Sequence, residues 1–251
     1  MSSIVKVSNL TKKYGDNVVV DNISFSVEKG EVFGILGPNG AGKTTTLEMI
    51  EAMRPIDNGF VHVNGLDVAK EPQKIRYIIG VQPQSAAFQD KSKLKEILQM
   101  FAAAYGEKIN PNDLLESVDL TDKADSYVED LSGGQKQRLS IAASLVHNPK
   151  VFFMDEPTTG LDPQARRNLW ELVKKIQKKG ITVILTTHYL EEAEVLCDRV
   201  AIMDEGKIIS LDTPKNLVKQ LLKRGFKKAQ HVEQANLEDV FIDLTGKHLR
   251  D

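Results

Sequence analysis

The chain has little cysteine and no long apolar run. Its single thiol, Cys197, cannot form an internal disulfide, and the apolar neighbours Val195 and Leu196 predict a buried, unreactive side chain. No uninterrupted apolar stretch approaches the roughly 18 to 20 residues of a membrane-spanning helix, and no secretory signal opens the sequence. We therefore expect a cytoplasmic protein that contacts a membrane only through partners.

The chain also lacks an excess of either charge. Its 251 residues include 33 basic and 35 acidic side chains, a formal net charge of −2. Such a balance produces no overall positive field that would hold a nucleic acid, so we expect no nucleic-acid partner. The one basic run, between residues 215 and 228, is interpreted as a solvated helix rather than a phosphate-binding patch.

The apolar pattern predicts an α/β fold with three regions. Alternation from Ile4 to Val27 indicates antiparallel strands, which would form an N-terminal β subdomain. Further on, short apolar strands at 32–36, 151–154, 181–186 and 199–203 alternate with helices, as in a mostly parallel sheet. Residues 85–148 show only helical patterns and are interpreted as an inserted α-helical subdomain. We place the main domain at residues 1–212 and a helical tail at 213–251.

The most specific motif is GPNGAGKT at residues 37–44, between an apolar strand at 32–36 and a helical pattern from Thr44 to Met53. This is the strand, glycine loop and helix of a P-loop NTPase. The backbone N–H groups of the loop are predicted to face phosphate oxygens, Lys43 to reach the β- and γ-phosphates, and Thr44 to bind Mg²⁺. Thr45 is expected to cap the helix or touch the α-phosphate. The predicted phosphate-binding residues are Gly37, Pro38, Asn39, Gly40, Ala41, Gly42, Lys43, Thr44 and Thr45.

A second motif is the apolar strand at 151–154, which ends in Asp155 and Glu156. In α/β sheets, ligands bind at the carboxyl ends of the strands. Asp155 is predicted to hold Mg²⁺, and Glu156 to orient or deprotonate the attacking water. Alone, the pair would be read as a solvated strand end. Together with GPNGAGKT, it indicates a nucleotide-hydrolysing site.

The third motif, LSGGQKQRL at residues 131–139, resembles the signature of ABC ATPases. Ser132, Gly133 and Gly134 form a turn that opens a helix, and they offer a hydroxyl and free N–H groups to an anion. Ser-Gly-Gly alone would be only a helix cap. The whole string, ending with Gln135 in LSGGQ, favours a second phosphate-binding surface.

The resemblance covers about residues 4 to 212 and implies roles for four further residues. Tyr14 would stack on adenine, although an isolated tyrosine could equally be structural. Gln84 would contact Mg²⁺ and the attacking water, with the nearby Gln82 as the alternative assignment. Asp162, in TTGLDP, would lie on a loop that communicates between two subunits, and His188 would be a switch near the γ-phosphate.

His188 and Glu192 also stand at the spacing of one helical turn. A metal site is disfavoured because no second histidine lies nearby. Glu191, Glu192 and Glu194 are predicted to form a solvated acidic face.

The resemblance implies the ATP-binding and ATP-hydrolysing subunit of an ABC transporter. Two copies would meet head to tail, so that ATP on GPNGAGKT of one is covered by LSGGQ of the other, and a separate transmembrane permease would carry the substrate. The ending at residues 236–251 is similar to those of bacterial exporter ATPases for drugs, antibiotics, lipids or ions. The alternatives are a soluble ABC ATPase that acts on nucleic acid or on the assembly of another complex, and a regulator with little turnover. Glu156 and His188 argue against the regulator.

Overall fold

The computed structural model describes residues 3–83 and 88–226, in which ten strands and eight α-helices are found. The strands are β1 (Ser3–Tyr14), β2 (Asn17–Glu28), β3 (Val32–Leu36), β4 (Asn58–Val63), β5 (Leu66–Asp67), β6 (Ile79–Gln82), β7 (Val151–Asp155), β8 (Thr182–Thr187), β9 (Arg199–Asp204) and β10 (Lys207–Asp212). The helices are α1 (Lys43–Ile50), α2 (Pro72–Ile78), α3 (Leu94–Ala104), α4 (Pro111–Ser117), α5 (Gly133–Ser144), α6 (Pro163–Lys178), α7 (Leu190–Leu196) and α8 (Pro214–Lys223).

A six-stranded sheet has the strand order β10-β9-β3-β8-β7-β6. The five strands β9, β3, β8, β7 and β6 run parallel to one another, and β10 pairs antiparallel with β9 at one edge. Every residue of β3, β7 and β8 is buried, as expected for parallel strands with both faces covered. The four predicted strands are present, and β6 and β10 join them. The predicted α/β class is confirmed.

A four-stranded antiparallel sheet, β2-β1-β4-β5, contains the predicted N-terminal strands. Strands β4 and β5 had no counterpart in the prediction. The two sheets share one apolar core, in which the rings of Phe25 on β2 and Phe33 on β3 stack with centroids 5.1 Å apart. This packing supports the strand that leads into the glycine loop.

The described part of the segment between β6 and β7 is helical, as the sequence predicts. It contains α3, α4 and α5, together with short 3₁₀ turns at Thr121–Lys123 and Val128–Asp130. Leu94, Ile97 and Leu98 of α3 are buried, so the apolar pattern of this helix does mark its packed face. The helix after the glycine loop is shorter than predicted, because α1 ends at Ile50 and Met53 is 61% exposed rather than packed.

The chain divides into two units, Met1–Asn216 and Leu217–Asp251. Both sheets and helices α1 to α7 belong to the first unit. Helix α8 accounts for the start of the predicted helical tail, and its side chains are intermediate or exposed. The exporter-like ending at 236–251 lies outside the described residues.

Candidate nucleotide-binding site

The glycine loop follows β3 and is fixed by close backbone contacts. A Cβ on Gly37 would lie 2.1 Å from the carbonyl oxygen of Met203. Gly42, immediately before α1, has a φ of 96°, and a Cβ there would lie 2.5 Å from the carbonyl oxygen of Val19. Side chains at these two positions would displace the backbone. The sequence therefore needs glycine at both to bring the loop against its neighbouring strands.

The loop borders an open cavity of about 330 Å³. Its lining residues are Val19, Asn39, Gly40, Gly42, Lys43, Thr44, Thr45 and Glu156. Helix α1 begins at this cavity without a side-chain cap, so its first backbone N–H groups are available to an anion. Seven of the lining residues belong to predicted motifs. Val19, on β2, was missed, since nothing in an alternating strand distinguishes one valine as a ligand contact.

Lys43 is buried beside the cavity, with 4% of its surface exposed. Its Nζ donates to the carbonyl oxygens of Gly37 at 2.9 Å and Pro38 at 3.0 Å, and it lies 3.3 Å from Oε1 of Glu156. The ammonium group is therefore held at the glycine loop and beside the carboxylate that is predicted to act on water.

Asp155 and Thr44 bring two oxygen donors together. The Thr44 hydroxyl lies 3.0 and 3.2 Å from the two carboxylate oxygens of Asp155, at the carboxyl end of β7. A hydroxyl and a carboxylate are hard oxygen ligands of the kind that Mg²⁺ takes in proteins, usually with several waters retained. The pair therefore fits the predicted Mg²⁺ site. Among the described residues, no group of three or more His, Cys, Asp and Glu side chains could form an all-protein metal cage.

Glu156 has a left-handed backbone, with a φ of 46°. Its Oε2 lies 3.1 Å from Nδ1 of His188, and the Thr159 hydroxyl donates to the same oxygen at 3.4 Å. Partial burial raises the pKa of Glu156, but hydrogen bonding and the charge of Lys43, together with His188, outweigh this effect and lower the pKa below its ordinary value. The carboxylate is therefore ionised at neutral pH and faces the cavity between two basic side chains.

His188 lies just beyond the end of β8, and its ring packs against Tyr189 with centroids 4.1 Å apart. The predicted acidic face on the following helix is partly wrong. Glu191 and Glu194 are exposed, but Glu192 is fully buried and its Oε1 accepts from Nε1 of Trp170 at 3.3 Å. Burial raises the pKa of Glu192. Its carboxylate thus packs against α6 and is not presented to solvent.

The signature residues surround a separate cavity of about 360 Å³. Ser132 caps α5: its hydroxyl accepts from the N–H of Gln135 at 3.3 Å, and its own N–H donates to Oε1 of Gln135 at 2.9 Å. Asp162 caps α6 by accepting from the N–H of Ala165 at 2.8 Å. The cavity's lining residues are Ser132, Gly134, Gln135, Gln137, Arg138, Leu161, Asp162, Gln164, Ala165, Asn168 and Leu169. It shares no lining residue with the glycine-loop cavity.

Tyr14 is 44% exposed and is not among the residues that line the glycine-loop cavity. Arg54 donates to its hydroxyl, and the guanidinium carbon of Arg54 lies 5.6 Å from its ring centre. The exposed ring is compatible with stacking, and its role on adenine stays a prediction. Gln84 lies outside the described residues, so its predicted contacts with Mg²⁺ and water also stay a prediction.

A third cavity, of about 600 Å³, is bordered by Glu51, Gln82 and Asp155 among others. Gln82 is fully buried, and within the described part of the chain neither polar atom of its side chain has a hydrogen-bond partner. Glu51 is 3% exposed. Burial, followed by the negative charges of Asp155 and Glu48, raises the pKa of Glu51 to about 8. Glu51 is therefore largely a neutral acid at pH 7.

Comparison with known proteins decides the family. The sequence pattern described as "ABC transporter" matches residues 20–159, a stretch that contains the glycine loop, the signature and the Asp155-Glu156 pair. The chain belongs to the ABC transporter family. It is thus an ATP-binding and ATP-hydrolysing transporter subunit, and the alternative of a soluble ATPase acting on nucleic acid is not favoured.

Two relatives illustrate this membership. The linearmycin resistance ATP-binding protein LnrL of Bacillus subtilis (strain 168) is 43% identical over 87% of this chain and 72% of its own. The Nod factor export ATP-binding protein I of Burkholderia orbicola (strain AU 1054) is 43% identical over 97% of both chains.

Solved structures agree with the fold. MJ1267, an ATP-binding cassette of an ABC transporter in its ADP conformation, superposes with a TM-score of 0.81 at 28% identity and covers 89% of this chain and 96% of its own. The dimeric, post-hydrolysis structure of the cassette MJ0796 bound to ADP and Pi has a TM-score of 0.73 at 25% identity, covering 83% and 98%. No helix in the described parts of this ABC transporter subunit is long and apolar enough to cross a membrane.

Proposed function

We propose that this chain powers export through a separate membrane permease, by ATP-driven closing and opening of a head-to-tail homodimer. The observation that supports the dimer is the separation of two cavities, each of which is proposed to bind an anion. The glycine-loop cavity and the signature cavity each lie at a helix N-terminus, yet they share no lining residue. A second copy placed head to tail would bring the signature of one chain onto the glycine loop of the other.

The described contacts support the binding roles. The N–H groups of the loop and of the start of α1 would hold the phosphates, and Lys43 would exchange its contacts to Gly37 and Pro38 for phosphate oxygens. Thr44, Asp155 and Gln84 would hold Mg²⁺, which supplies positive charge that neutralises the phosphates when bound. Tyr14 would stack on adenine. The partner's contribution to the same nucleotide would come from its residues equivalent to Ser132, Gly133, Gly134, Gln135 and Asp162.

Hydrolysis would depend on Glu156 and His188. The ionised Glu156 carboxylate can accept a proton from water, and Lys43 and His188 fix its two oxygens from either side. Loss of the γ-phosphate would then remove contacts that hold the two chains together. ATP hydrolysis would therefore open the dimer.

The direction of transport is supported by relatives whose names refer to linearmycin resistance and Nod factor export. In this proposal the substrate contacts belong to the permease, and the chain would sit on the cytoplasmic face of the membrane through that partner. The test is to purify the chain from its own cells and to identify the membrane protein that co-purifies with it. A multi-span permease is expected, whereas salt-sensitive retention of RNA or DNA would contradict the proposal.

The dimer has its own test in Ser132→Arg. A long cation at the signature should block closure, so light scattering should show no ATP-dependent dimer and turnover should be lost. Thr121→Arg is the matched control, since Thr121 is exposed in the same helical segment but lies outside the signature cavity. Equal dimer formation and turnover in Ser132→Arg and Thr121→Arg would contradict the shared site.

A further inference from the structure

Thr186 connects the two carboxylate residues of the site, although no motif singled it out. It lies on β8 directly opposite Asp155 on β7, and its side chain is fully buried. Its hydroxyl donates to Oδ1 of Asp155. The same hydroxyl accepts from the backbone N–H of Glu156 at 3.0 Å.

A threonine hydroxyl suits this position because it can donate one hydrogen bond and accept another. An ionised carboxylate can only accept, and a backbone N–H can only donate, so one hydroxyl satisfies both neighbours. A valine side chain has nearly the same shape but could bond to neither of them, and the N–H of Glu156 would keep the backbone carbonyl oxygen of residue 186 as its acceptor.

The hydrogen bond to Asp155 concerns the proposed Mg²⁺ ligand, and the hydrogen bond to Glu156 concerns the proposed general base. Among the described residues, Asp155 also contacts the hydroxyl of Thr44, which is itself a proposed Mg²⁺ ligand, whereas Thr186 donates to Asp155 without being one. Glu156 has a left-handed backbone, which residues with a Cβ rarely adopt. Its N–H is held both by the hydroxyl and, at 3.2 Å, by the carbonyl oxygen of Thr186. These two hydrogen bonds hold the backbone of Glu156 in the position from which its carboxylate contacts Lys43 and His188.

We propose that Thr186 is a positioning residue for ATP hydrolysis, which fixes Asp155 for Mg²⁺ and Glu156 for water through one hydroxyl. The inference rests on the proposed hydrolytic site. It adds a residue on the strand beside the Asp-Glu pair, where hydrogen-bond partners of ligating and catalytic carboxylates are typically worth about 10- to 100-fold in metal affinity or activity.

The test compares Thr186→Val, Thr186→Ser and Thr182→Val. Thr182 is a matched control because it is equally buried on β8, and its hydroxyl accepts from the N–H of Gly30 at 2.9 Å, away from the site. Turnover is measured with saturating MgATP. A fluorescent ATP analogue is titrated in EDTA and then at increasing Mg²⁺, which reports metal-dependent binding without hydrolysis.

Thr186→Val is expected to lower turnover about 10- to 100-fold and to raise the Mg²⁺ concentration needed for tight nucleotide binding by a similar factor. Binding in EDTA should stay at the wild-type value. Thr186→Ser should restore turnover and Mg²⁺ dependence, and Thr182→Val should leave both unchanged, even if it lowers the melting temperature.

Wild-type turnover and Mg²⁺ dependence in Thr186→Val would overturn the inference while the ATPase assignment stands. Equal losses in Thr186→Val and Thr182→Val, or no restoration by Thr186→Ser, would reduce Thr186 to a structural residue. If the wild-type chain itself showed no ATP turnover alone or with its permease, the proposed function would fail first, so the two failures are distinguishable.

Discussion

Replacing Glu156 with glutamine is the perturbation that most directly separates binding from chemistry. Glutamine keeps the size of the side chain and an oxygen that can accept from Lys43, but it carries no charge and cannot take a proton from water. The left-handed backbone is held by Thr186 rather than by the carboxylate, so the fold at this position should persist. Lys43 also keeps the carbonyl oxygens of Gly37 and Pro38 as acceptors.

These contacts set the expected magnitudes. A positioned general base typically contributes about 10²- to 10⁴-fold, which corresponds to roughly 3 to 5 kcal/mol of activation free energy. The loss of folding stability should be smaller, about 1 to 2 kcal/mol, because the contacts to Lys43 and His188 are weakened rather than removed. Single-turnover hydrolysis should therefore slow at least about a hundredfold, while ATP affinity is retained and an ATP-bound dimer accumulates.

The assay combines quenched single-turnover hydrolysis, equilibrium ATP binding and light scattering in ATP. Glu191→Gln is the matched control, because Glu191 is an exposed carboxylate on α7 that makes none of these contacts. Turnover of Glu156→Gln within about threefold of that control, where about a hundredfold is expected, would refute the assignment of the base. Loss of ATP binding would instead show that the carboxylate supports the fold of the loop.

Three further changes follow from the geometry. Lys43→Ala would remove the proposed charge-assisted contact to a phosphate, worth about 1.5 to 3 kcal/mol, so equilibrium dialysis should show ATP affinity weaker by about 10- to 150-fold. Exposed Lys178→Ala should leave the affinity unchanged, and equal affinities of the two variants would contradict the loop assignment. The pKa of Glu51 is raised from 4.5 to about 8, so the folded chain keeps a proton that the unfolded chain loses, and stability falls as pH rises from 4.5 to 8. Denaturant unfolding should show Glu51→Gln free of that loss, with an advantage that grows to at most about 5 kcal/mol above pH 8; a pH-independent difference would contradict it. Gly37→Ala places a Cβ 2.1 Å from the carbonyl oxygen of Met203, so it should destabilise the fold by about 1 to 3 kcal/mol and weaken ATP binding; wild-type behaviour in both unfolding and dialysis would show that the loop can yield.

Local patterns in the sequence predicted much of the fold. Strands β3, β7 and β8 read clearly because a parallel strand buried on both faces is an unbroken apolar run. Strand β6 was missed because Ile79–Gln82 is only four residues long and contains glycine. Strand β10 was missed because its side chains are intermediate or exposed and carry little periodicity.

The same contrast between local pattern and tertiary structure holds for the site residues. Residues such as Lys43 and Asp155 can be predicted because they belong to motifs with a fixed spacing in the sequence. Thr186 cannot be predicted in this way, because its proposed role depends on the register between β7 and β8, which places it opposite Asp155. Glu192 was misread because an acidic run on a short helix looks solvated, and only the packing of Trp170 from another helix shows that this member points inward. Tertiary neighbours, which no local pattern contains, account for both cases.

The central claim is that each ATP site is completed by a second copy, and mixing two inactive variants tests it most directly. In a head-to-tail dimer of Lys43→Ala with Ser132→Arg, both lesions fall in one site, and the other site keeps an intact glycine loop and an intact signature. A 1:1 mixture of the two should therefore regain ATP turnover, to at most about half of the wild-type rate, because one of the two sites in each mixed dimer is intact. If each site were built within one chain, every site in the mixture would carry a lesion. A mixture as inactive as its two components would contradict the account.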